Sequence, residues 1–152
     1  MKSYRIALVA LCAAMVSLAA AGNAEETKKE RTYKCPLAGK EIKLATAKQV
    51  SYKGKTVYVC CGGCKAKVEK DASKFAEKLN KQLVETGQYV QAKCPISGGP
   101  MNKTKTVKIG GVEVAFCCPN CQGKASKAKG DEQLKLAFSD KAFAKGFKAK
   151  EK

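Results

Sequence analysis

One cysteine pattern, written twice, constrains this chain more than anything else in it. Thr56-Val57-Tyr58-Val59-Cys60-Cys61-Gly62-Gly63-Cys64 returns further along as Glu113-Val114-Ala115-Phe116-Cys117-Cys118-Pro119-Asn120-Cys121. In both copies a β-branched or aromatic run stops at a vicinal cysteine pair, and a third cysteine follows after two turn-forming residues. A strand that ends at Cys-Cys and turns within two residues brings several sulfurs into one small volume. Upstream, Tyr33-Lys34-Cys35-Pro36-Leu37-Ala38-Gly39-Lys40 is echoed by Ala92-Lys93-Cys94-Pro95-Ile96-Ser97-Gly98-Gly99. Its Pro and Gly form a turn that aims the cysteine at the downstream segment. Cys35 and Cys94 stand farther apart than Cys60 and Cys117 do, which places a two-residue deletion before the later cluster in the second copy.

Each copy therefore offers four sulfurs: Cys35, Cys60, Cys61 and Cys64, then Cys94, Cys117, Cys118 and Cys121. Cys61-x-x-Cys64 and Cys118-x-x-Cys121 have the knuckle spacing that lets two thiolates hold one ion without backbone strain. Amides at the start of the following helix help to keep such sulfurs deprotonated. Four thiolates suit tetrahedral Zn²⁺, whereas two or three suit Cu(I). The expectation is one ion, Cu(I) or Zn, per unit.

Around the cysteines the pattern is that of a hairpin followed by a helix, an α+β class. Val50-Ser51-Tyr52, a Lys53-Gly54 turn and Lys55 to Val59 read as two short strands, and Val107-Lys108-Ile109, Gly110-Gly111 and Val112 to Phe116 repeat them. Alternation puts Val50 and Tyr52 on one face, with Val57, Val59 and Cys61 on the matching face of the partner strand. Val107, Ile109, Val114, Phe116 and Cys118 are the corresponding set. Cys60 and Cys117 start on the other face, so a bend is needed for both vicinal sulfurs to meet one ion. After Cys64, Val68, Ala72, Phe75, Leu79 and Leu83 recur at helical spacing, with a break at Asp71 and an end before Gly87. After Cys121 the match loosens: Ala125 to Lys129 reads as helix, Gly130-Asp131 interrupts it, and Leu134, Phe138, Phe143 and Phe147 supply apolar contacts. A unit of about 50 residues buries little apolar surface and needs a metal, disulfides or a partner for comfortable stability.

The segment from Met1 to Ala24 reads as a secretory signal rather than as part of the fold. Lys2 and Arg5 precede an uncharged run from Ile6 to Ala21, and Gly22-Asn23-Ala24 supplies small residues for cleavage. That run is shorter than the roughly 20 residues needed to span a bilayer. Removal of the signal takes Cys12 with it, leaves eight cysteines, and predicts a secreted or periplasmic product with no membrane span. The remaining 28 basic and 13 acidic side chains give a net charge near +15. Export disfavours nucleic acid as the partner of that charge and leaves an anionic surface as the alternative. The chain has no histidine, so catalysis by Ser-His-Asp or Cys-His is excluded. The predicted layout is signal 1–24, charged lead-in 25–32, first unit 33–84, connector 85–91, second unit 92–147 and Lys-rich tail 148–152.

Gly54-Lys55-Thr56-Val57-Tyr58-Val59-Cys60-Cys61-x-x-Cys64, followed by Asp71 and Phe75, resembles the YHS and TRASH-type heavy-metal-binding domains. The three-cysteine spacing of TRASH domains matches most closely, with a long gap from Cys35 to Cys60 and a short one from Cys60 to Cys64. Cys94, Cys117 and Cys121 keep the short gap and shorten the long one by two. The resemblance covers most of residues 33–138. It implies two small treble-clef-like units with roles in metal trafficking, resistance or sensing, and it implies Cys35, Cys60 and Cys64, then Cys94, Cys117 and Cys121, as ligands. Two departures stand out. The YHS first cysteine lies at the place of Ala38 and Ser97 here, and the YHS serine is replaced by Cys61 and Cys118. Paired repeats behind a signal resemble secreted bacterial proteins of this type.

Three functions are compatible with these readings. The first is an exported, non-enzymatic binder of Cu(I) or Zn in trafficking, buffering or resistance, with a metal-transfer protein as partner. In the second, a metal or four disulfides merely staple small domains that bind something else, since export favours disulfides. The third is a thiol–disulfide oxidoreductase, because strand, Cys-x-x-Cys and helix is how a thioredoxin site is laid out. No βαβ unit surrounds either motif, and the extra cysteines have no place in that mechanism.

Overall fold

A computed structural model of the chain describes residues 32–151. The expected signal, 1–24, and all but Thr32 of the expected lead-in lie outside the described residues. Strands β1 (Thr32–Lys34) and β2 (Glu41–Lys43) flank the Cys35 turn, and β3 (Lys48–Tyr52) pairs antiparallel with β4 (Lys55–Val59). Helix α1 (Gly62–Lys70), a 3₁₀ turn at 72–75 and α2 (Ala76–Glu85) complete the first copy. After β5 (Tyr89–Gln91), the second hairpin is β6 (Asn102–Ile109) and β7 (Val112–Phe116). It leads into α3 (Pro119–Lys127), α4 (Gly130–Phe138), α5 (Asp140–Gly146) and the short β8 (Phe147–Ala149). The class is mixed α+β.

Both hairpins use the two-residue turn expected of them. Lys53 and Gly54 have φ of 51° and 70°, Gly110 and Gly111 of 56° and 96°, the left-handed pair whose twist suits an antiparallel hairpin. Lys53 is the one described non-glycine residue with positive φ, and its side chain is held by residues of both copies. Its Nζ pairs with Asp140 Oδ1 at 2.6 Å and donates to Asn80 Oδ1 at 3.0 Å. The alternation holds as far as the last strand residues: Val50, Val57, Val59, Ile109, Val114 and Phe116 are buried. It does not continue into the cysteines. The strands end at Val59 and Phe116, the chain bends, and Cys61 is exposed rather than aligned with Val57 and Val59.

The helical pattern after Cys64 is also found, broken at Asp71. Val68, Leu79 and Leu83 are buried, while Ala72 and Phe75 are half-buried. At its end Gly87 takes φ 72°; its N–H bonds the Val84 carbonyl at 2.9 Å, and the Gln88 N–H bonds that of Leu83 at 3.0 Å. This reciprocal closure of the last turn requires a left-handed residue, hence glycine. The second copy differs by a whole helix. Beyond the interruption at Ala128 and Lys129 the chain resumes as α4, and Asp140 opens a further helix as Asp71 opens the 3₁₀ turn.

All four sheets among the described residues have two strands, and a lone hairpin is marginal in water. Glutamine side chains take the place of a third strand. The amide and carbonyl of Thr56 and Tyr58 face away from β3. Gln82 accepts from Tyr58 N at 2.7 Å and donates to Tyr58 O at 2.8 Å; Gln88 does the same to Thr56 at 2.9 and 2.6 Å. The equivalent of Tyr58 is Ala115, and Gln91 clamps its N and O at 2.9 and 2.6 Å. These clamps come from α2, from the turn after it and from β5, so they tie both hairpins to the middle of the chain.

The two copies share one core. Helices α2 and α4 pack together, β5 pairs with β8, and Asn80 Nδ2 donates to the Phe138 carbonyl at 2.9 Å. Phe143 lies with its ring centre 4.7 Å from Tyr89 and 5.2 Å from Phe147. Residues expected as connector and tail thus contain paired strand. Gln82 is 1% exposed, and its loss strands two backbone groups of β4. Gln82→Leu is expected to destabilise the protein by about 2–3 kcal/mol, since a buried group left without its partner costs about 1–3 kcal/mol. Urea unfolding measures this; a loss under about 0.5 kcal/mol, the level of an ordinary surface change, would show that the clamp is dispensable.

Candidate metal centre

Three chain segments meet at each cysteine cluster. The first is the turn after β1, where Cys35 N–H bonds the Lys40 carbonyl at 2.7 Å and Gly39 N–H bonds that of Cys35 at 2.8 Å. The Cys94 turn repeats this, with Cys94 N–H to Gly99 O at 2.9 Å and Gly98 N–H to Cys94 O at 2.8 Å. Gly39 and Gly98 carry the positive φ, 67° and 80°, that closes each loop. The second segment is the end of β4 or β7, which delivers Cys60 or Cys117. The third is the first turn of α1 or α3, which delivers Cys64 or Cys121.

The Sγ atoms of Cys35, Cys60 and Cys64 all lie within 4.8 Å of one another, as do those of Cys94, Cys117 and Cys121. Cys60 and Cys64 are 3.7 Å apart, and so are Cys117 and Cys121. With metal–sulfur bonds of about 2.3 Å, ligated sulfurs stand about 3.8 Å apart in a tetrahedral site and about 4.0 Å apart in a planar three-coordinate one. The clusters fit an ion of either geometry. They do not form disulfides, which need about 2.05 Å between sulfurs; all eight described cysteines are free thiols.

The fourth cysteine of each unit is placed differently. Cys61 and Cys118 are the N-cap residues of α1 and α3, in nearly identical extended conformations with φ/ψ of −157°/169° and −152°/165°. Neither belongs to the mutually close trio. Cys61 is exposed and Cys118 half-buried, whereas Cys35 and Cys94 are 2% and 0% exposed. Cys118 Sγ lies 3.6 Å from Cys117 Sγ, and the Cys64 amide, followed by the neighbouring thiols Cys60 and Cys64, lowers the Cys61 thiol.

Electrostatics polarise each cluster from inside to outside. Burial alone raises the Cys94 thiol, but the Ser97 hydroxyl and the amides of Ser97, Cys117 and Ile96 overcome it and bring the group down to about 6. Cys35 is lowered likewise: burial acts to raise it, and the amides of Ala38, Cys60 and Leu37 outweigh that effect. Burial, followed by the neighbouring thiols Cys60 and Cys61, pushes Cys64 up to about 12; burial and Cys117 do the same to Cys121. The inner sulfur of each cluster is therefore the one most readily deprotonated, and the helix sulfur the one that holds its proton most tightly. Ser97 is the residue that motif reading passed over. Its Oγ is 3.2 Å from Cys117 Sγ, and Ala38 stands in its place in the first unit. The only signal for it was that it occupies the YHS cysteine's position.

A cleft of about 520 Å³ between the β1–β2 and β6–β7 hairpins is lined by Lys34, Glu41, Glu85 and Gly110 among others, and no cysteine reaches it. Among the described residues no helix is long and apolar enough to cross a membrane. Comparison of the chain with protein-family models, with curated proteins and with solved structures finds no match.

The Cys94 thiolate makes the metal-free protein sensitive to pH. Its stabilisation is complete above the ordinary thiol value of 9 and is lost as pH falls through about 6. The raised Cys121 acts oppositely, stabilising below 9 and losing that contribution as pH rises through about 12. The urea midpoint of reduced, chelator-treated protein is expected to rise between pH 6 and 9, with a flatter rise in Cys94→Ser. A midpoint that falls across that range contradicts the assignment.

Proposed function

We propose that the chain is an exported, non-enzymatic protein that binds one soft metal ion in each of its two units, acting in metal trafficking, buffering or resistance in the periplasm or outside the cell. The observation that carries this reading is the paired cluster: three sulfurs within 4.8 Å of one another, formed twice from the same three structural positions. With three mutually close thiolates and no histidine, Cu(I) fits the clusters better than Zn²⁺, which completes a tetrahedron. A knuckle turn, a hairpin and a helix start contributing the sulfurs is also what treble-clef-like units of the YHS and TRASH type would supply. The resemblance supports the reading, as does the secretory pattern from Met1 to Ala24.

A structural role for the metal has an observation of its own. Cys35 and Cys94 are built into the common core, and ions there would stiffen hairpins that are marginal alone. The two roles are compatible, and cargo is the one we favour. The oxidoreductase reading draws less support, because no sheet among the described residues exceeds two strands. The lysine-rich surface suits an acidic face on a metal-transfer partner or an anionic surface.

Anaerobic titration against a chromophoric Cu(I) chelator tests the proposal. The natural chain is expected to take two ions, Cys64→Ser or Cys35→Ser one, and Cys64→Ser with Cys121→Ser none. Equal uptake by the natural chain and the double variant would remove the clusters from metal binding.

A further inference from the structure

The fourth cysteine of each unit lies beside the cluster without joining its inner trio, and it is the N-cap residue in both copies, exposed at Cys61 and half-buried at Cys118. In the first unit, Cys60 and Cys64 form a shared edge 3.7 Å long. On its inner side is Cys35, 2% exposed and embedded in the core. On its outer side is Cys61, exposed and next in the chain to Cys60. The second unit repeats the arrangement: Cys117 and Cys121 share the edge, Cys94 lies inside, and Cys118 sits 3.6 Å from Cys117 on the outside. Within the inner trio Cys35 is buried and Cys60 half-buried, so a metal held there offers an incoming thiol less room than one that also has Cys61 as a ligand. A metal held by the outer set is at the surface.

The surroundings of the outer sulfur suit an approach from solvent. Gly62 follows Cys61, and a side chain there would meet nothing within 4 Å; at Gly63 it would meet only Cys61 Sγ, at 3.9 Å. The N-cap backbone fixes Cys61 and Cys118 at a helix start, whose amides favour negative charge on the sulfur. Nothing about helix capping calls for cysteine, since Ser, Thr, Asp and Asn are the favoured N-caps. A thiol at this position in both copies is explained by ligand exchange.

We infer that Cys61 and Cys118 are exchange ligands that draw the ion away from buried Cys35 and Cys94 and hand it to a thiol-bearing acceptor protein. This rests on the reading of the clusters as metal sites. In the exchange, Cys61 loses its proton to solvent and its thiolate forms a bond to the ion. The bond to Cys35 breaks, and Cys35 leaves as a thiolate held by the backbone amides around it. An acceptor thiolate then bonds the ion, a second acceptor sulfur joins it, and the bonds to Cys60, Cys61 and Cys64 break in turn. The ion keeps its oxidation state throughout, so no oxidant or reductant is consumed.

The test uses the full mature chain, loaded anaerobically with Cu(I), mixed with a synthetic peptide carrying Cys-x-x-Cys and followed by native mass spectrometry over time. The variant is Cys61→Ser with Cys118→Ser; serine is a favoured N-cap, so unfolding of the variant cannot be laid to a lost cap. It is expected to keep its circular dichroism and its two ions at equilibrium, and to transfer them about tenfold more slowly than the natural chain, as for a barrier raised by the loss of one ligand-exchange route. Transfer at the natural rate overturns the inference. So does loss of metal or of fold in the variant, which would make Cys61 and Cys118 fourth ligands of closed sites. If the natural chain itself takes up no Cu(I), the failure lies in the reading of the clusters as copper sites, and the two failures are told apart by that measurement alone.

Discussion

The outward edges of the two hairpins are the constraint on which the rest of the structure depends. A two-stranded ribbon leaves one row of amides and carbonyls unpaired on each outer edge, and when packed against helices it cannot leave them without partners. Here the carboxamides of Gln82, Gln88 and Gln91 supply both a donor and an acceptor to one residue each. They act as detached pieces of a third strand. Because these side chains come from the middle of the chain, the same bonds that complete the hairpins also fix where α2 and β5 run. The strand ends are then held still enough for Cys60 and Cys117 to meet sulfurs from elsewhere.

The cysteine clusters make use of that rigidity. Two of the three sulfurs in each cluster come from one strand–helix junction, and the third comes from a turn that precedes the whole hairpin. Their convergence is a tertiary matter in which local propensity has little part. The Cys94 turn is pinned from the opposite end of the chain: the Gly146 carbonyl accepts from Ala92 and Lys93 at 2.8 and 3.0 Å. Gly146 also lies against Pro95, where an added Cβ would come within 2.9 Å of the Pro95 backbone. The second turn therefore depends on α5, whereas the first is reached from α2 by Gln82 at the Lys34 carbonyl. Equivalent sulfurs are positioned by inequivalent supports.

Charge is organised on the same plan. The chain carries 30 lysines and arginines against 13 acids, yet the inner thiolates are stabilised by backbone amides and, at Cys94, by a serine hydroxyl. Backbone donors are fixed by the fold and would not compete for an ion bound to the sulfurs. A lysine close enough to stabilise the thiolate would repel the incoming cation. The basic side chains pair elsewhere: Lys53 bridges the copies through Asp140, Lys81 meets Glu85 in a largely buried pair, and Lys65 and Lys74 form exposed pairs with Glu69 and Asp71.

Much of this was legible in the sequence, because it depends on short-range rules. The Lys53-Gly54 and Gly110-Gly111 turns, the break at Asp71, the stop before Gly87 and the doubled cysteine spacing are local, and each is found where the residues place it. The union of Cys35 with Cys60 and Cys64 was legible only because the pattern occurs twice. Other features were out of reach. Alternation extended to Cys61 put it on the buried face, because a period-two rule has no knowledge of where a strand ends and a helix begins. The glutamine clamps cannot be read locally, since Gln82, Gln88 and Gln91 are ordinary polar residues until an edge strand lies opposite them. Likewise, Ser97 differs from Ala38 by one hydroxyl, and only the fold brings that hydroxyl to the sulfur of Cys117. The sequence by itself determined which sulfurs were available and how each hairpin turned, through backbone torsions and spacing. The tertiary structure decided which three sulfurs share a cluster and which one faces solvent, because burial and sulfur-to-sulfur distance are set by segments that meet only when the whole chain has folded.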